Sequence, residues 1–164
     1  AIERNTDGSI DWAKSAQSQD NYRVVKMILE STQMLCTNLN LLHGEQVTRY
    51  KNAHVNHPST KWARESSDNF EALVYHTLAM LEEYTERFGK VHKLDDALSH
   101  YDPDMFPSSG PTPLPLCMPD EYKSSDIVES YRRFYASKPR MRYPVAKIPP
   151  WFREYRQEEF QIIS

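Results

Sequence analysis

The chain has 164 residues, 39% of them apolar and 26% charged, with a formal net charge of -3. That length can bury a real core, and the acidic balance excludes nucleic-acid binding by overall charge, so any contact with DNA has to come from a local patch. No apolar run approaches the ~20 residues of a membrane span.

The first residues read as neither a signal nor a transit peptide. Cys36 and Cys117 lack metal-ligand spacing. They are read as reduced thiols of a cytoplasmic protein. Residues 1–19 form a polar arm, with a turn at Asp7-Gly8 and the start of a short helix at Ile10, Trp12 and Ala13. Ser18 or Asp20 caps the long helix after the arm.

Asp20 to Leu42 reads as one helix of about six turns. Val24, Val25, Ile28, Leu29, Leu35, Leu39 and Leu42 give it an apolar side, and its composition predicts a largely buried central helix. Arg23, Lys26, Glu30, Gln33 and Thr37 recur at spacings of three and four, which places them on one polar stripe. Two readings are open for Lys26 and Glu30. They are an ordinary ion pair on a solvated face, or a site in which burial and a neighbouring cation pull the acid's protonation in opposite directions. His43-Gly44 ends the helix.

A polar connector, residues 45–58, carries His54, Asn56 and His57 ahead of Pro58. The His-x-x-His spacing, with no acidic or cysteine cluster beside it, predicts no metal and no cofactor. A loop leading into a helix N-terminus suits an anion instead, and His54 is the candidate contact. Ser59 or Thr60 should cap a second long helical element, running through Trp62, Phe70, Leu73, Val74, Leu78, Leu81, Tyr84 and Phe88 until Gly89. Asp95 to His100 reads as a short third helix.

Residues 102–120 contain six prolines together with Met105, Phe106, Leu114, Leu116 and Met118. This is an ordered strap across the helices rather than a linker. Ser124 or Ser125 caps a last helix whose contacts are Ile127, Val128, Tyr131, Phe134 and Tyr135. Residues 139–164 form an aromatic tail, with Pro149-Pro150-Trp151-Phe152 folding back as a clamp. RMRYPVAKI is the one strand candidate, weakened by Pro144. The fold class is mainly α: a compact single domain over 1–164, as a monomer or a homodimer.

Lys123, Arg132, Arg133, Lys138, Arg140, Arg142 and Lys147 lie among Tyr122, Tyr131, Phe134, Tyr135 and Tyr143. This basic-aromatic stretch is either a nucleic-acid surface or a helix whose aromatics face the core. Lys123 and Arg132 are the candidate phosphate contacts. No glycine-rich phosphate loop, nucleophile elbow or zincin motif occurs.

Several blocks together resemble the small phage-encoded pyrimidine-dimer DNA glycosylase-like proteins. They are Val24-Val25-Lys26-Met27 with Glu30, Gln33 and Leu35, then His54, Asn56-His57-Pro58-Ser59 and Trp62-Ala63-Arg64-Glu65-Ser66. Glu83-Tyr84, Arg87-Phe88-Gly89-Lys90-Val91-His92, Met118-Pro119-Asp120, Tyr131-Arg132 and Pro150-Trp151-Phe152 continue the match. Asn21-Tyr22 departs from that pattern, which has Lys-His there.

The resemblance implies a helical protein acting on damaged or modified pyrimidines in DNA. The amine of Ala1 would attack the sugar, with Glu30 as the assisting carboxylate. Arg23 and Lys26 would hold phosphate, with Gln33, His54 and Asn56 completing the site. The alternative on the same fold is a non-catalytic protein that sequesters a nucleotide and so antagonises host defence signalling. A virion or host-interaction protein without a pocket is the third reading.

Overall fold

The computed structural model describes residues 2–94, 98–139, 141–152 and 154–155. It is helical: α1 is Trp12–Gln17, α2 Asn21–His43, α3 Pro58–Glu65, α4 Ser67–Phe88 and α5 Ile127–Ala136. Among the described residues there is no strand, and RMRYPVAKI holds only a short 3-10 turn at Val145–Lys147.

The two long helices lie against each other, with α1 and α3 also packed on α4. Met34, Leu35, Leu39, Trp62, Phe70, Leu73 and Leu81 are the buried centre of that contact. Aromatic rings extend it: Trp12 packs near Trp62 and His76, and Phe70 stacks on Tyr101 at 5.2 Å.

α2 is as long as its pattern predicts, but its burial divides. Every residue from Met34 to Asn40 is buried, whereas Tyr22, Val25, Lys26 and Leu29 are exposed. The second half holds polar side chains in the interior because each has a partner. Thr37 donates to the carbonyl of Ala53 at 3.0 Å, Asn38 to that of Thr60 at 2.9 Å, and Asn40 to that of Tyr50 at 3.0 Å. Thr37 therefore leaves the polar stripe and fastens the 45–57 connector to the helix. Gly44 ends α2 at φ 77, a backbone state a side chain would strain.

The second long element is two helices. Ser66 has an extended backbone (φ -148, ψ 156), and its hydroxyl accepts the amide of Asn69 at the start of α4. A serine that bonds the backbone this way competes with helix continuation. α3 is capped by His57 rather than Ser59 or Thr60, with Pro58 in its first turn. α5 is capped by Asp126, whose carboxylate accepts the Val128 amide, rather than by Ser124 or Ser125. Half of the expected helix at Asp95 to His100, residues 95–97, falls outside the described residues.

The strap is ordered. Phe106 and Met118 are buried. Trp62 donates its indole N–H to the carbonyl of Thr112 at 2.9 Å, and Asn69 exchanges bonds with Thr112 through both ends of its amide. Tyr131 of α5 donates to the carbonyl of Pro115 at 2.6 Å. The tail folds back as well: Trp151 is buried and donates to Glu3 at 2.6 Å, and Tyr143 donates to the carbonyl of Ser18.

Candidate functional site

Three concavities stand out. One of about 430 Å³ sits between α2 and α4 on the side of Val25, Leu29, Tyr84 and Lys93. A second, of about 420 Å³, lies between Glu3, Arg132 and the Pro149–Trp151 turn. The third, of about 320 Å³, has the richest set of ionisable and aromatic groups. Its volume falls at the small end of ligand sites.

Six parts of the chain build this third cavity. The arm gives Ile2 and Trp12. Gln19 lines it too, and α2 gives Arg23, Lys26, Met27, Glu30 and Met34. The turn into α3 gives His57, Ser59 and Trp62, and α4 gives Leu73 and His76. The strap and α5 close it with Leu114, Cys117, Tyr131, Phe134 and Tyr135, and Lys138, just past α5, also lines it. Arg23, Lys26, Met27 and Glu30 share the face of α2 turned to this cavity, whereas the exposed Val25 and Leu29 face the first concavity.

Glu30 is partly buried, with 29% of its side chain exposed, and its carboxylate lies 4.0 Å from Lys26 Nζ. Arg23 is held by the wholly buried Asp20 at 3.4 Å and by Met141 sulphur at 3.3 Å. Asp20 also accepts the Tyr135 hydroxyl proton at 2.8 Å, and the Tyr135 oxygen accepts the Asp20 amide at 2.8 Å. Burial, then the neighbouring Tyr143 and the Asp20 carboxylate, push the Tyr135 phenol well above its usual range. It stays a neutral hydrogen-bonding group.

Lys138 Nζ sits 3.8 Å from the centre of the Phe134 ring. Burial, together with the like charges of Arg23 and Lys26, lowers its pKa. Cations therefore gather at one side of the cavity, with aromatic rings lining the rest. An anion beside a flat apolar group matches such a site.

The predicted residues do not all meet here. Glu30, Arg23 and Lys26 line the cavity. Gln33 and His54 bond each other at 3.1 Å outside it, and His54 holds a left-handed backbone at φ 57. Asn56 is exposed on the same connector. Lys123 pairs with Asp120 at 2.9 Å, away from the cavity. Arg132 is drawn to the buried Glu3 at 2.8 Å and lies 5.4 Å over the Trp151 ring. That contact joins the arm, α5 and the tail. Ala1 lies outside the described residues.

Sequence reasoning missed Gln19, His76, Trp12, Ser59 and Cys117 as wall residues. Gln19 falls in the turn between two helices, and His76 recurs at no motif spacing, so neither carried a signal. His57 carried one, as half of a rejected metal pair.

Among the described residues no group of three or more His, Cys, Asp or Glu could hold a metal ion. No described helix is long and apolar enough to cross a membrane. The model of the pyrimidine dimer DNA glycosylase family matches residues 9–96, more than half of the chain. The chain belongs to this family. No curated protein and no solved structure matches it. The matched span covers α1 to α4. The strap and α5, which close the cavity over those helices, lie beyond it.

Proposed function

We propose that this protein binds DNA carrying damaged pyrimidines and cleaves the base–sugar bond of a nucleotide drawn into the 320 Å³ cavity. The observation that carries this reading is Glu30 in the cavity wall, in a lining that also holds Arg23, Lys26, Trp12, Trp62 and Phe134. In this reading the cations take flanking phosphate, the rings take the extruded base, and the carboxylate serves the sugar between them. Extrusion costs least where a lesion has already weakened pairing.

The amine is assigned to Ala1, which is joined to Ile2, a residue of the cavity wall. An α-amine is less basic than a lysine and is partly unprotonated near neutral pH. Its nitrogen bonds to C1′ as the glycosidic bond breaks. The base leaves with the bonding electrons and gains a proton. The sugar ring opens to an imine, and loss of a C2′ proton expels the 3′ phosphate. Glu30 relays protons in these steps.

Borohydride reduction in the presence of ultraviolet-irradiated or abasic DNA tests this. A trapped covalent adduct mapping to Ala1, absent in Glu30→Gln, is the expected result. An adduct mapping to Lys138 moves the nucleophile to that side chain. No adduct, with a nucleotide retained through purification, replaces the enzyme by a nucleotide-sequestering protein.

A further inference from the structure

The head of α2 holds an acid that the proposed chemistry does not use. Asp20 stands at the N-cap of the helix and is wholly buried, yet its side chain caps no helix amide. Aspartate is favoured at that position because its carboxylate satisfies one of the free N–H groups of the first turn. Here the carboxylate turns elsewhere. Oδ1 accepts the Tyr135 hydroxyl proton, and Oδ2 faces Arg23 Nη1 at 3.4 Å. Taking a carboxylate out of water is costly unless it is paired. An acid buried at this position without capping the helix is therefore committed to those two partners.

Both partners line the cavity. The Tyr135 hydroxyl is occupied in both directions by Asp20, donating to its carboxylate and accepting its amide. Arg23 is different, because a guanidinium carries five N–H donors in a rigid fork. Its Nη1 is held by Asp20 and by Met141 sulphur at 3.3 Å, and its Cζ lies 5.2 Å over the Tyr22 ring. Nε and Nη2 have no hydrogen-bond partner among the described residues, and neither is closed off from solvent. The side chain keeps 17% of its surface exposed where it lines the cavity. The Nε–Nη2 edge can meet two oxygens of one anion with parallel bonds. Lys26, half exposed and 4.0 Å from Glu30, has no such fixed geometry.

We propose that Asp20 is a positioning residue, fixing Arg23 so that its Nε–Nη2 edge clamps one phosphate group of a ligand through two parallel hydrogen bonds. The assignment rests on the reading of the cavity as a site for a phosphate-bearing ligand. It makes Arg23 the contact that orients the phosphate and leaves Lys26 and Lys138 as point charges. Tyr135 belongs to α5, beyond the span that matches the family, so the clamp is complete only when α5 has packed on the head of α2.

Nuclear magnetic resonance of the nitrogen-labelled full chain, titrated with inorganic phosphate, tests the assignment. In the unaltered protein Arg23 Nη1 and Nη2 should give separate signals, because one of them is held. Phosphate should shift Nε and Nη2 more than Nη1. Averaged Nη signals, or phosphate that leaves Nε unmoved, overturns the proposal. The affinity for phosphate, read from the amides of α2, should fall about ten-fold in Arg23→Lys, which keeps the charge and loses the fork. Asp20→Asn should show the same loss, and the double variant no more than either alone, whereas a merely structural Asp20 gives losses that add. Should Asp20→Asn fail to fold, the Arg23 signals of the unaltered protein and the affinity of Arg23→Lys still decide. The borohydride experiment separates this from the function above. Clamped phosphate without an adduct removes the lyase and leaves the clamp. An adduct formed equally by the unaltered protein and by Arg23→Lys, with Nε unmoved by phosphate, removes the clamp alone.

Discussion

Two side chains in the same wall have opposite relations to stability. Lys26 and Glu30 are 4.0 Å apart, with half of the lysine side chain in solvent, so their pairing adds less than about 1 kcal/mol. Glu30→Gln should therefore leave the urea midpoint nearly unchanged while abolishing the borohydride adduct. His76 is the reverse case. Its pKa falls from 6.5 to about 4 on folding. The unfolded chain thus takes up a proton that the folded ring resists. Stability is complete above about pH 6.5, declines as pH falls toward 4, and suffers no further loss from this group below that. The decline should be on the order of 1–3 kcal/mol. Urea titrations at pH 7 and pH 4.5 should show it in the unaltered protein and show less of it in His76→Asn, the difference removing the shared titration of carboxylates. The place of Glu30 beside Arg23 and Lys26 in the cavity wall was legible because those three keep their helical spacing on one face, whereas Gln33 and Thr37 turn to partners in the connector. Gln19 and His76 were not legible, because their place in the wall is set by tertiary contact.

At the level of the helices, periodicity located α2 and its left-handed Gly44 end. It could not place the break at Ser66, because the apolar spacing runs on through it: Trp62 and Phe70 pack into the same core from two different helices. The break has a function in the architecture. It frees the amides of Ser67 and Asp68 to bond the carbonyls of Ser108 and Ser109, so the strap is seated on the start of α4. Asn69 then clamps the strap by donating to the Trp62 carbonyl at 2.9 Å and to Thr112 Oγ1 at 2.7 Å, while accepting the Thr112 amide at 2.9 Å. Ser66→Ala removes a cap and should cost about 1 kcal/mol. Asn69→Ala strands buried backbone groups as well and should cost about 2–4 kcal/mol. Denaturant unfolding gives both numbers. Limited proteolysis of Asn69→Ala should also cut first within residues 107–113, since the clamp there is gone. The aromatic and apolar strap residues were readable as a sign of order. The amide that holds them was not, since a lone asparagine inside a helix has no distinguishing pattern.

Across the whole molecule, charge decides how DNA can be approached. The chain is acidic overall, at -3, and several basic residues of its second half are paired with carboxylates. Arg132 is taken by Glu3, Arg133 by Glu129, and Lys147 by Glu83 and Glu86. Of these, Arg132 ties α5 to the arm, Lys147 ties the tail to α4, and Arg133 makes an exposed pair within α5. The cations facing the cavity are Arg23, Lys26 and Lys138. Three phosphate contacts release about three counterions, which sets a shallow dependence on salt: log K against log salt should have a slope near -0.9 for each contact, about -3 in all. A protein using the entire basic stretch would give a slope about twice as steep. Fluorescence anisotropy of a short duplex bearing a pyrimidine lesion, titrated from low to moderate salt, measures it. Lys26→Ala should make the slope shallower by about one unit and weaken binding evenly across sequences, because a phosphate contact carries no base information. Lys123→Ala, which disrupts only an exposed pair with Asp120, should change neither. A slope unaffected by Lys26→Ala but reduced by Lys123→Ala would place the DNA on the α5 side of the molecule, away from Glu30.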